Sequence, residues 1–331
     1  MKTFEDFGDE ASRSLVGVLL LIVACGPAQE RGRAGSEVGS ETARRTVAVT
    51  IDDLPAVRSR DLVAMQAITE KLLDQLAGNE IPVVGFVTEV KLAVPGEESQ
   101  RADLLEAWLV AGHDLGNHSY SHPWLYDTPL EEFEADVIRG EAVTSKLLAE
   151  RGRRLRYFRH PRLNTGPDIA TKAAFEKFLA ERGYRIAPVT IDNDEYVYAL
   201  AYFNASVEDD SALMALIGQD YIRYMAEVFE FYEELSRALL EREPTQVLLL
   251  RANRLNADYI DGLADMLRGR GYGFVSLDAA LEDPAYDLPD AYVGRMGLSW
   301  LMRWAVTKGE EPGEQPEVPE WIMKTAWPQS N

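Results

Sequence analysis

The chain has 331 residues, of which 46% are hydrophobic, so it can bury a large core and is neither disordered nor fibrous. It carries 55 acidic against 34 basic residues and a net charge of −21, and no stripe of Lys or Arg offsets this charge. The average surface therefore repels a nucleic-acid backbone, which excludes nucleic acid as a partner.

The N-terminal segment predicts export. Residues 15–24 (LVGVLLLIVA) form an apolar run that is too short to span a bilayer but suits the core of a signal peptide. The run leads directly into Cys25 and resembles a bacterial lipobox, which implies an acylated N-terminal cysteine in the cell envelope or periplasm. A plain secretory signal or a buried strand is the alternative. Residues 26–45 are polar and typical of a tether.

From residue 46 the sequence alternates strand patterns with helix patterns. Alternation of this kind indicates an α/β fold with a parallel sheet, open or closed, whose ligands lie at the carboxyl ends of the strands. Strands are predicted at 46–52, 82–87, 113–118, 156–160, 184–191, 246–251 and 273–277. Helices are predicted at 61–78, 100–112, 129–152, 168–183, 209–241 and 256–270.

Three helical segments carry further expectations. Helix 129–152 is a single long helix, with Thr128 as its N-cap and proline at its first position. Four aromatic residues at near-helical spacing pack helix 209–241 onto the sheet. A short amphipathic helix around Trp300 and Trp304 docks the C-terminus, and the Pro- and Glu-rich stretch 308–321 beyond it is extended or mobile. The four aromatics are Tyr221, Tyr224, Phe229 and Tyr232.

Polar residues gather where the predicted strands end. Any one of them alone would be a solvated cap, but carboxyl ends of parallel strands converge, so together they favour one pocket with a metal site. Arg251 is expected to pair with one of the two strand-five aspartates. The residues are Asp52, Asp53, His118, His122, Arg159, His160, Asp192, Asp194 and Arg251.

The histidine pair His118 and His122 takes half of the four histidines of the chain. Residues four apart share a face when the backbone makes one turn, as two ligands of one ion require. Ser119 replaces the glutamate of a zincin motif, so the third ligand comes from elsewhere. One carboxylate of Asp52 and Asp53 can supply it while the other stays free as a base, because the following Leu-Pro turns the chain. This donor set describes metal-assisted hydrolysis.

Four motifs, TIDDLP at 50–55, HSYSH at 118–122, RHP at 159–161 and LLLRAN at 248–253, resemble those of the polysaccharide deacetylases with a NodB-like domain, carbohydrate esterase family four. The resemblance runs over about 46–277 and implies a deformed (β/α)7 barrel.

This resemblance also implies a role for each matching residue. Asp52 is the catalytic base, positioned by Arg159. The backbone near Pro161 and Arg162 holds the oxyanion, and Leu249 shapes the pocket for the acetyl methyl group. The metal ligands are Asp53, His118 and His122, and the metal is Zn²⁺, with Co²⁺ or Ni²⁺ as alternatives.

The strand-six motif departs from the family. Arg251 stands where family members carry the histidine that protonates the leaving group, and arginine does not release a proton at neutral pH. An ester tolerates this loss better than an amide, because a fixed cation stabilises a leaving alkoxide. DNDEY at 192–196 departs from the family as well. For His160, a structural role is favoured over that of a substitute acid. For His113, a structural role is favoured over that of a metal ligand.

The sequence therefore predicts a metal-dependent hydrolase that removes N- or O-linked acetyl groups from a cell-envelope or extracellular polysaccharide. Asp192 joins the predicted substrate-binding residues, and the only membrane contact is the lipid at Cys25. A glycan- or metal-binding pseudoenzyme is the alternative, and a metallohydrolase of peptides or phosphoesters is a more distant one. The predicted segments are a signal at 1–25, a linker at 26–45, a catalytic barrel at 46–285 and a C-terminal extension at 286–331.

Overall fold

A computed structural model describes residues 45–59 and 61–328 of the protein. Within these residues, seven parallel strands form one curled sheet of order β5-β4-β3-β2-β1-β6, with β7 paired to β1. The strands are β1 (Arg45–Leu54), β2 (Val83–Val87), β3 (Asp114–Asn117), β4 (Tyr157–Phe158), β5 (Arg185–Ile186), β6 (Gln246–Arg251) and β7 (Tyr272–Phe274).

Helices connect successive strands along the chain, and a short 3-10 turn follows β2, β4 and the ninth helix. The helices of the described part are α1 (Leu62–Gly78), α2 (Glu98–Val110), α3 (Leu130–Arg139), α4 (Ala142–Ala149), α5 (Ile169–Glu181), α6 (Glu195–Val207), α7 (Ser211–Leu240), α8 (Arg254–Gly269), α9 (Leu277–Ala280), α10 (Trp300–Lys308) and α11 (Glu320–Ala326).

The sheet curls until the chain that follows β5 meets β6. There the N–H of Thr190 donates to the carbonyl oxygen of Val247 at 3.0 Å, and the N–H of Leu249 donates to the carbonyl oxygen of Ile191 at 3.2 Å. The last strand, β7, pairs only with the first residues of β1. The predicted deformed barrel of parallel strands is thereby confirmed.

The central strands are buried on both faces. In β1 the run from Val47 to Asp52 is buried, and β2 is buried along its whole length. Parallel strands covered by helices have this near-continuous apolar pattern. The four aromatic side chains predicted to pack α7 onto the sheet are all 0% exposed, which confirms that expectation.

The prediction of one long helix over 129–152 is wrong, because the chain forms α3 and α4 with a break at Gly140. A Cβ atom on Gly140 would lie 2.5 Å from the carbonyl carbon of Ser119, so the break lets the chain pass against the loop that carries the histidine pair. The N-cap of α3 is Pro129 and not Thr128, and no side chain caps this helix.

The region between β5 and α7 also differs from the prediction. Strand five is regular only at Arg185–Ile186 and rejoins the sheet at the isolated bridge between Ile191 and Leu248. Helix α6 was not predicted. Its sequence, EYVYALAYFNASV, is rich in aromatic and small residues, and seven of its residues are buried, so it lacks the polar face that marks a surface helix.

The C-terminal segment packs onto the body of the protein. The predicted short helix is confirmed as α10, in which Trp300 is 8% and Trp304 1% exposed. Residues 310–319 have no regular structure, and the helix α11 that follows them was not predicted. The side-chain amide of Asn204 donates to the carbonyl oxygens of Thr325 and Ala326 at 2.9 and 3.0 Å. A residue of α6 thus supplies hydrogen bonds to carbonyl groups at the C-terminal end of α11.

The signal segment 1–25, with Cys25, and residues 26–44 of the linker lie outside the described residues. The division between 46–285 and 286–331 stays a prediction. None of the described helices has both the length and the apolar character needed to cross a membrane.

Candidate functional site: a metal-binding cavity at the strand ends

A cavity of about 610 Å³ opens at the carboxyl ends of the strands. Most of the residues that the sequence singled out line it, which places the predicted strand-end cluster in one pocket. The lining residues are Asp52, Asp53, Val57, Arg58, His118, His122, Arg162, Leu163, Asp192, Asn193, Asp194, Tyr196, Ala199, Leu249, Arg251 and Asn253.

Neighbouring carboxylates of one strand reach the same cavity because the backbone turns at the second of them. Consecutive residues of a strand point to opposite faces. Asp53 has φ +69°, in the left-handed region that non-glycine residues seldom adopt, and this conformation brings its carboxylate to the side of Asp52. Both residues line the cavity. Backbone strain of this kind is found at binding sites that the surrounding structure holds in place.

Asp53, His118 and His122 each offer one ligand atom, and these atoms lie within 4.8 Å of one another. The Nδ1 of His118 bonds the carbonyl oxygen of Arg159 at 2.8 Å, so its Nε2, which lies 3.8 Å from Oδ2 of Asp52, is the nitrogen that faces a metal ion. One carboxylate and a pair of imidazoles are a donor set for Zn²⁺ or a related divalent ion, and three protein ligands leave room for water. The residues present therefore fit a catalytic metal.

A strained loop holds the histidines in position. Ser119 and His122 have φ values of +66° and +59°. The side-chain oxygen of Asn117 accepts the N–H of Ser119 at 2.6 Å, and the hydroxyl of Ser119 accepts the N–H of His122 at 3.0 Å. The side chain of Asp136 in α3 accepts the N–H of Tyr120 at 2.9 Å. The loop is thus fixed by side chains as well as by the adjoining strand.

The electrostatics favour the metal-binding forms of the ligands. Burial lowers the pKa of His118 and that of His122 to about 4, so both imidazoles are neutral at pH 7. Burial acts to raise the pKa of Asp53, but the Lys91 ammonium and the histidines hold it well below its usual range. The ammonium lies 2.9 Å from Oδ1 of Asp53, and the hydroxyl of Thr88 donates to the same oxygen at 3.2 Å.

The other carboxylate, Asp52, is 3% exposed and lies against Arg159, which is fully buried. Nη1 of Arg159 is 3.4 Å from Oδ1 of Asp52, and Nη2 donates to the hydroxyl of Thr50 at 2.9 Å. The guanidinium also lies 4.6 Å from the ring centre of Phe86. Burial raises the pKa of Asp52 to about 6, against the lowering effect of Arg159. A carboxylate with this pKa in a cavity is suited to accept a proton near neutral pH.

Arg251 forms its ion pair with a residue that the sequence did not single out. Its Nη1 lies 3.6 Å from Oε1 of Glu195, which is 0% exposed at the start of α6. The side-chain amides of Asn253 and Asn256 donate to the same carboxylate at 3.1 and 3.3 Å. The expected pairing of Arg251 with a strand-five aspartate is therefore replaced by one with Glu195, whose helix was not predicted.

The strand-five aspartates remain close to this pair. Burial raises the pKa of Asp192 to about 6, while Arg251 lowers it. Asp194 also lines the cavity, and burial raises its pKa against the effect of the same guanidinium. Tyr196 lies under the guanidinium, with its ring centre 5.5 Å from Cζ of Arg251.

The RHP turn forms another wall of the cavity. Arg162 and Leu163 have φ values of +56° and +54° and line the cavity, whereas Pro161 is buried just before them. A Cβ atom on Gly297 would lie 1.8 Å from the carbonyl oxygen of Arg162, so only glycine lets the C-terminal segment press against this turn. Leu249 is 2% exposed and also lines the cavity.

The remaining histidines lie away from this cavity. The ring of His160 is 5.2 Å from that of Phe158 and 5.5 Å from that of Phe175, within an aromatic cluster on the other side of the strand. The ring of His113 packs 5.5 Å from that of Trp108. Both positions agree with the structural roles preferred for them.

The sequence also resembles known proteins. The sequence model of the polysaccharide deacetylase family matches residues 39–178, which include the aspartate pair, the histidine pair and the RHP turn. A Geobacillus stearothermophilus protein described as an uncharacterized 30.6 kDa protein is 26% identical over 227 residues, or 68% of this chain and 69% of that protein.

Solved structures that are similar to the chain share little sequence with it. A mutant of a CE4 family pseudoenzyme from Bacillus anthracis with restored enzymatic activity is 16% identical, with 72% of this chain and 68% of that chain covered and a TM-score of 0.46. A peptidoglycan N-acetylglucosamine deacetylase is 17% identical, with 77% and 91% covered and a TM-score of 0.47.

Over residues 39–178 the chain matches the sequence model of the polysaccharide deacetylase family, in agreement with the resemblance that its motifs showed. Leu249 and Arg251 lie beyond the matched residues, so the family match leaves their roles open.

Proposed function

We propose that the protein is a metal-dependent deacetylase that hydrolyses acetyl groups on a carbohydrate. One observation carries the proposal: in a chain with the family's motifs, the carboxylate of Asp52 shares a cavity with a ligand set formed by Asp53, His118 and His122. A protein that only bound metal or glycan would have no need of a buried carboxylate with a raised pKa beside the ligands.

Each residue of the cavity has a part in this reaction. A divalent ion held by the triad would polarise the acetyl carbonyl and lower the pKa of bound water toward ~7. Asp52 accepts the proton of the attacking water, and Arg159 positions its carboxylate. The backbone of the turn at Arg162 donates to the developing oxyanion, and Leu249 contacts the acetyl methyl group.

The metal proposed is Zn²⁺. Neutral imidazoles and one carboxylate also suit Co²⁺ and Ni²⁺, so geometry and availability decide which ion is bound in the cell.

The presence of Arg251 in the cavity favours acetyl esters over acetyl amides as substrates. An amine leaving group must be protonated before it departs, whereas an alkoxide is stabilised by a fixed positive charge. Arg251 lies in the cavity and keeps its charge through the pair with Glu195. O-linked acetyl groups are therefore the favoured substrates, and N-linked groups are the less favoured ones.

A second candidate function is that of a pseudoenzyme that binds glycan or metal without turnover. The observation that favours it is the same arginine, since losing a general acid typically costs about 10² to 10⁴ in rate.

We also propose that the protein is exported and held in the cell envelope by a lipid on Cys25. A Cys25→Ala variant is then released into the soluble fraction, whereas the wild-type protein stays with the membranes. Equal fractionation of both proteins contradicts the anchor without affecting the proposed chemistry.

The test of the function is acetate release from matched N- and O-acetylated saccharides by the Zn²⁺-loaded protein. Arg251→His is assayed beside it, and Asp52→Asn is the control for contaminating esterase. Hydrolysis of esters by the wild type, with a gain on amides in Arg251→His, supports a deacetylase that is tuned by this residue. If neither protein releases acetate while metal is bound stoichiometrically, the proposed enzyme is refuted and the pseudoenzyme that binds glycan or metal is supported.

A further inference from the structure

Arginine side chains are held together at the mouth of the cavity by an aromatic ring. Cζ of Arg162, which lines the cavity, lies 5.0 Å from the ring centre of Trp124. Cζ of Arg295 lies 4.8 Å from the same ring and 5.7 Å from the ring centre of Tyr126. Cation–π contacts fix both guanidiniums in place without neutralising them. We name this cluster the arginine rim; it consists of Arg162, Trp124 and Arg295.

The arginine rim has little counter-charge. Arg162 is exposed and forms no ion pair with any residue that the structure describes. Arg295 faces Asp127 at 3.6 Å, but these side chains are 62% and 49% exposed, so water screens the pair strongly. Arg58, at another point of the cavity lining, likewise has no ion pair within the described residues.

The carboxylates of the cavity, in contrast, lie near cations, and three of them share one guanidinium, that of Arg251. Asp52 lies against Arg159, and Asp53 against Lys91 and the proposed metal. Asp192 and Asp194 face Arg251, which also pairs with Glu195. Among the described residues, the entrance therefore keeps one rim guanidinium without an ion pair, that of Arg162, in a protein whose net charge is −21.

We propose that the arginine rim binds a carboxylate of the polysaccharide, so that the substrate is an acetylated uronate-containing glycan. This inference rests on the proposed deacetylase function for its meaning, but the binding it describes is measurable without turnover. A guanidinium matches a carboxylate with parallel hydrogen bonds, and a neutral sugar offers it no such partner. A local positive field also guides an anionic polymer to the cavity, against the repulsion of the rest of the surface.

The first test is binding of unacetylated polygalacturonate and of neutral xylan to the metal-loaded protein, by calorimetry at low and high salt. We expect polygalacturonate to bind more tightly, with an affinity that falls as salt rises. Arg295→Gln should weaken this binding about two- to fivefold, as expected for one exposed charge pair, and Arg162→Gln by a similar factor. Arg223→Gln is the matched control, because it removes one charge from an exposed site on α7.

Equal binding of the two polymers, or equal losses in Arg295→Gln and Arg223→Gln, overturns the inference. In the second case the polymer senses net charge and not the arginine rim.

The second test separates this inference from the proposed function. Wild type and Arg295→Gln are assayed on chemically O-acetylated polygalacturonate, on O-acetylated xylan and on 4-nitrophenyl acetate. We expect the variant to show a raised KM on the anionic polymer alone. Activity on all three substrates with no change in the variant refutes the arginine rim. No activity on any of them refutes the proposed O-deacetylase and leaves the binding result to decide about the rim.

Discussion

Removing the guanidinium of Arg251 should lower the free energy of unfolding, because Glu195 would lose its cationic partner. Glu195 is 0% exposed and lies 3.6 Å from Nη1 of Arg251. At an effective dielectric constant of ~20, charges at this distance attract by about 5 kcal/mol. Breaking a buried pair from one side typically costs about 3–5 kcal/mol, because the remaining charge is stranded. We therefore expect Arg251→Met to lower the free energy of unfolding by about 3–5 kcal/mol at pH 8.

The cost should depend on pH in a definite direction. Burial already raises the pKa of Glu195 although Arg251 lowers it, and loss of the guanidinium raises that pKa further. As pH falls through the raised pKa, Glu195 takes up a proton in the folded state and no longer carries a stranded charge. The difference between variant and wild type should therefore shrink on acidification.

The assay is urea unfolding of the metal-free proteins at several pH values, with Glu195→Gln and the double variant completing a cycle. Asn253 and Asn256 donate to different oxygens of Glu195, so in the glutamine variant one of them keeps its acceptor while the other faces the new NH2 group, and the double variant should regain part of the lost stability. A cost below about 1 kcal/mol for Arg251→Met, or no recovery in the double variant, refutes the view that Arg251 neutralises Glu195.

Further predictions concern the ligands, the base and the loop beneath them. His122→Ala should weaken Zn²⁺ binding by at least tenfold, measured by competition with a chelator, because it removes one of three ligands; unchanged affinity would place the metal elsewhere. Asp52→Asn should abolish acetate release and stabilise the metal-free protein at pH 8. The raised pKa of about 6, against 3.8, means that the folded wild type binds more protons and loses about 3 kcal/mol as pH rises through that window. Equal stability of the two proteins at pH 8 would contradict the burial of this charge. Gly140→Ala should lower the melting temperature and the affinity for metal together, since its Cβ would lie 2.5 Å from the carbonyl carbon of Ser119; a shift in neither would show that the loop is free to move.

Local sequence patterns were sufficient for the parts of the fold that depend on local physics. Strand β1 and helix α1 appear where β-branched runs and helical periodicity placed them, and Asp61 caps α1 as a side chain at that position should. Helix α6 was missed because it is buried on several sides, so no polar face marks its period. The break at Gly140 was missed because its cause is the backbone of Ser119, which no local pattern shows.

The residues of the candidate site also fall into those that the sequence indicated and those that only the structure revealed. The motifs name the residue types, and the order of the strands places Asp52 and His118 at the same end of the sheet, because parallel strands all point one way. Lys91 as the partner of Asp53, and Glu195 as the partner of Arg251, carried no motif and became visible only as distances.

By itself, the sequence determined the fold class, the resemblance to a family and the set of side chains at the strand ends, because periodicity and motif order are properties of the chain. The tertiary structure alone decided how the charges are paired, and that Arg162 at the mouth has no carboxylate partner among the described residues. Ion pairs depend on distances of a few ångströms between residues far apart in the sequence, and the fall of electrostatic energy with distance makes those distances decisive.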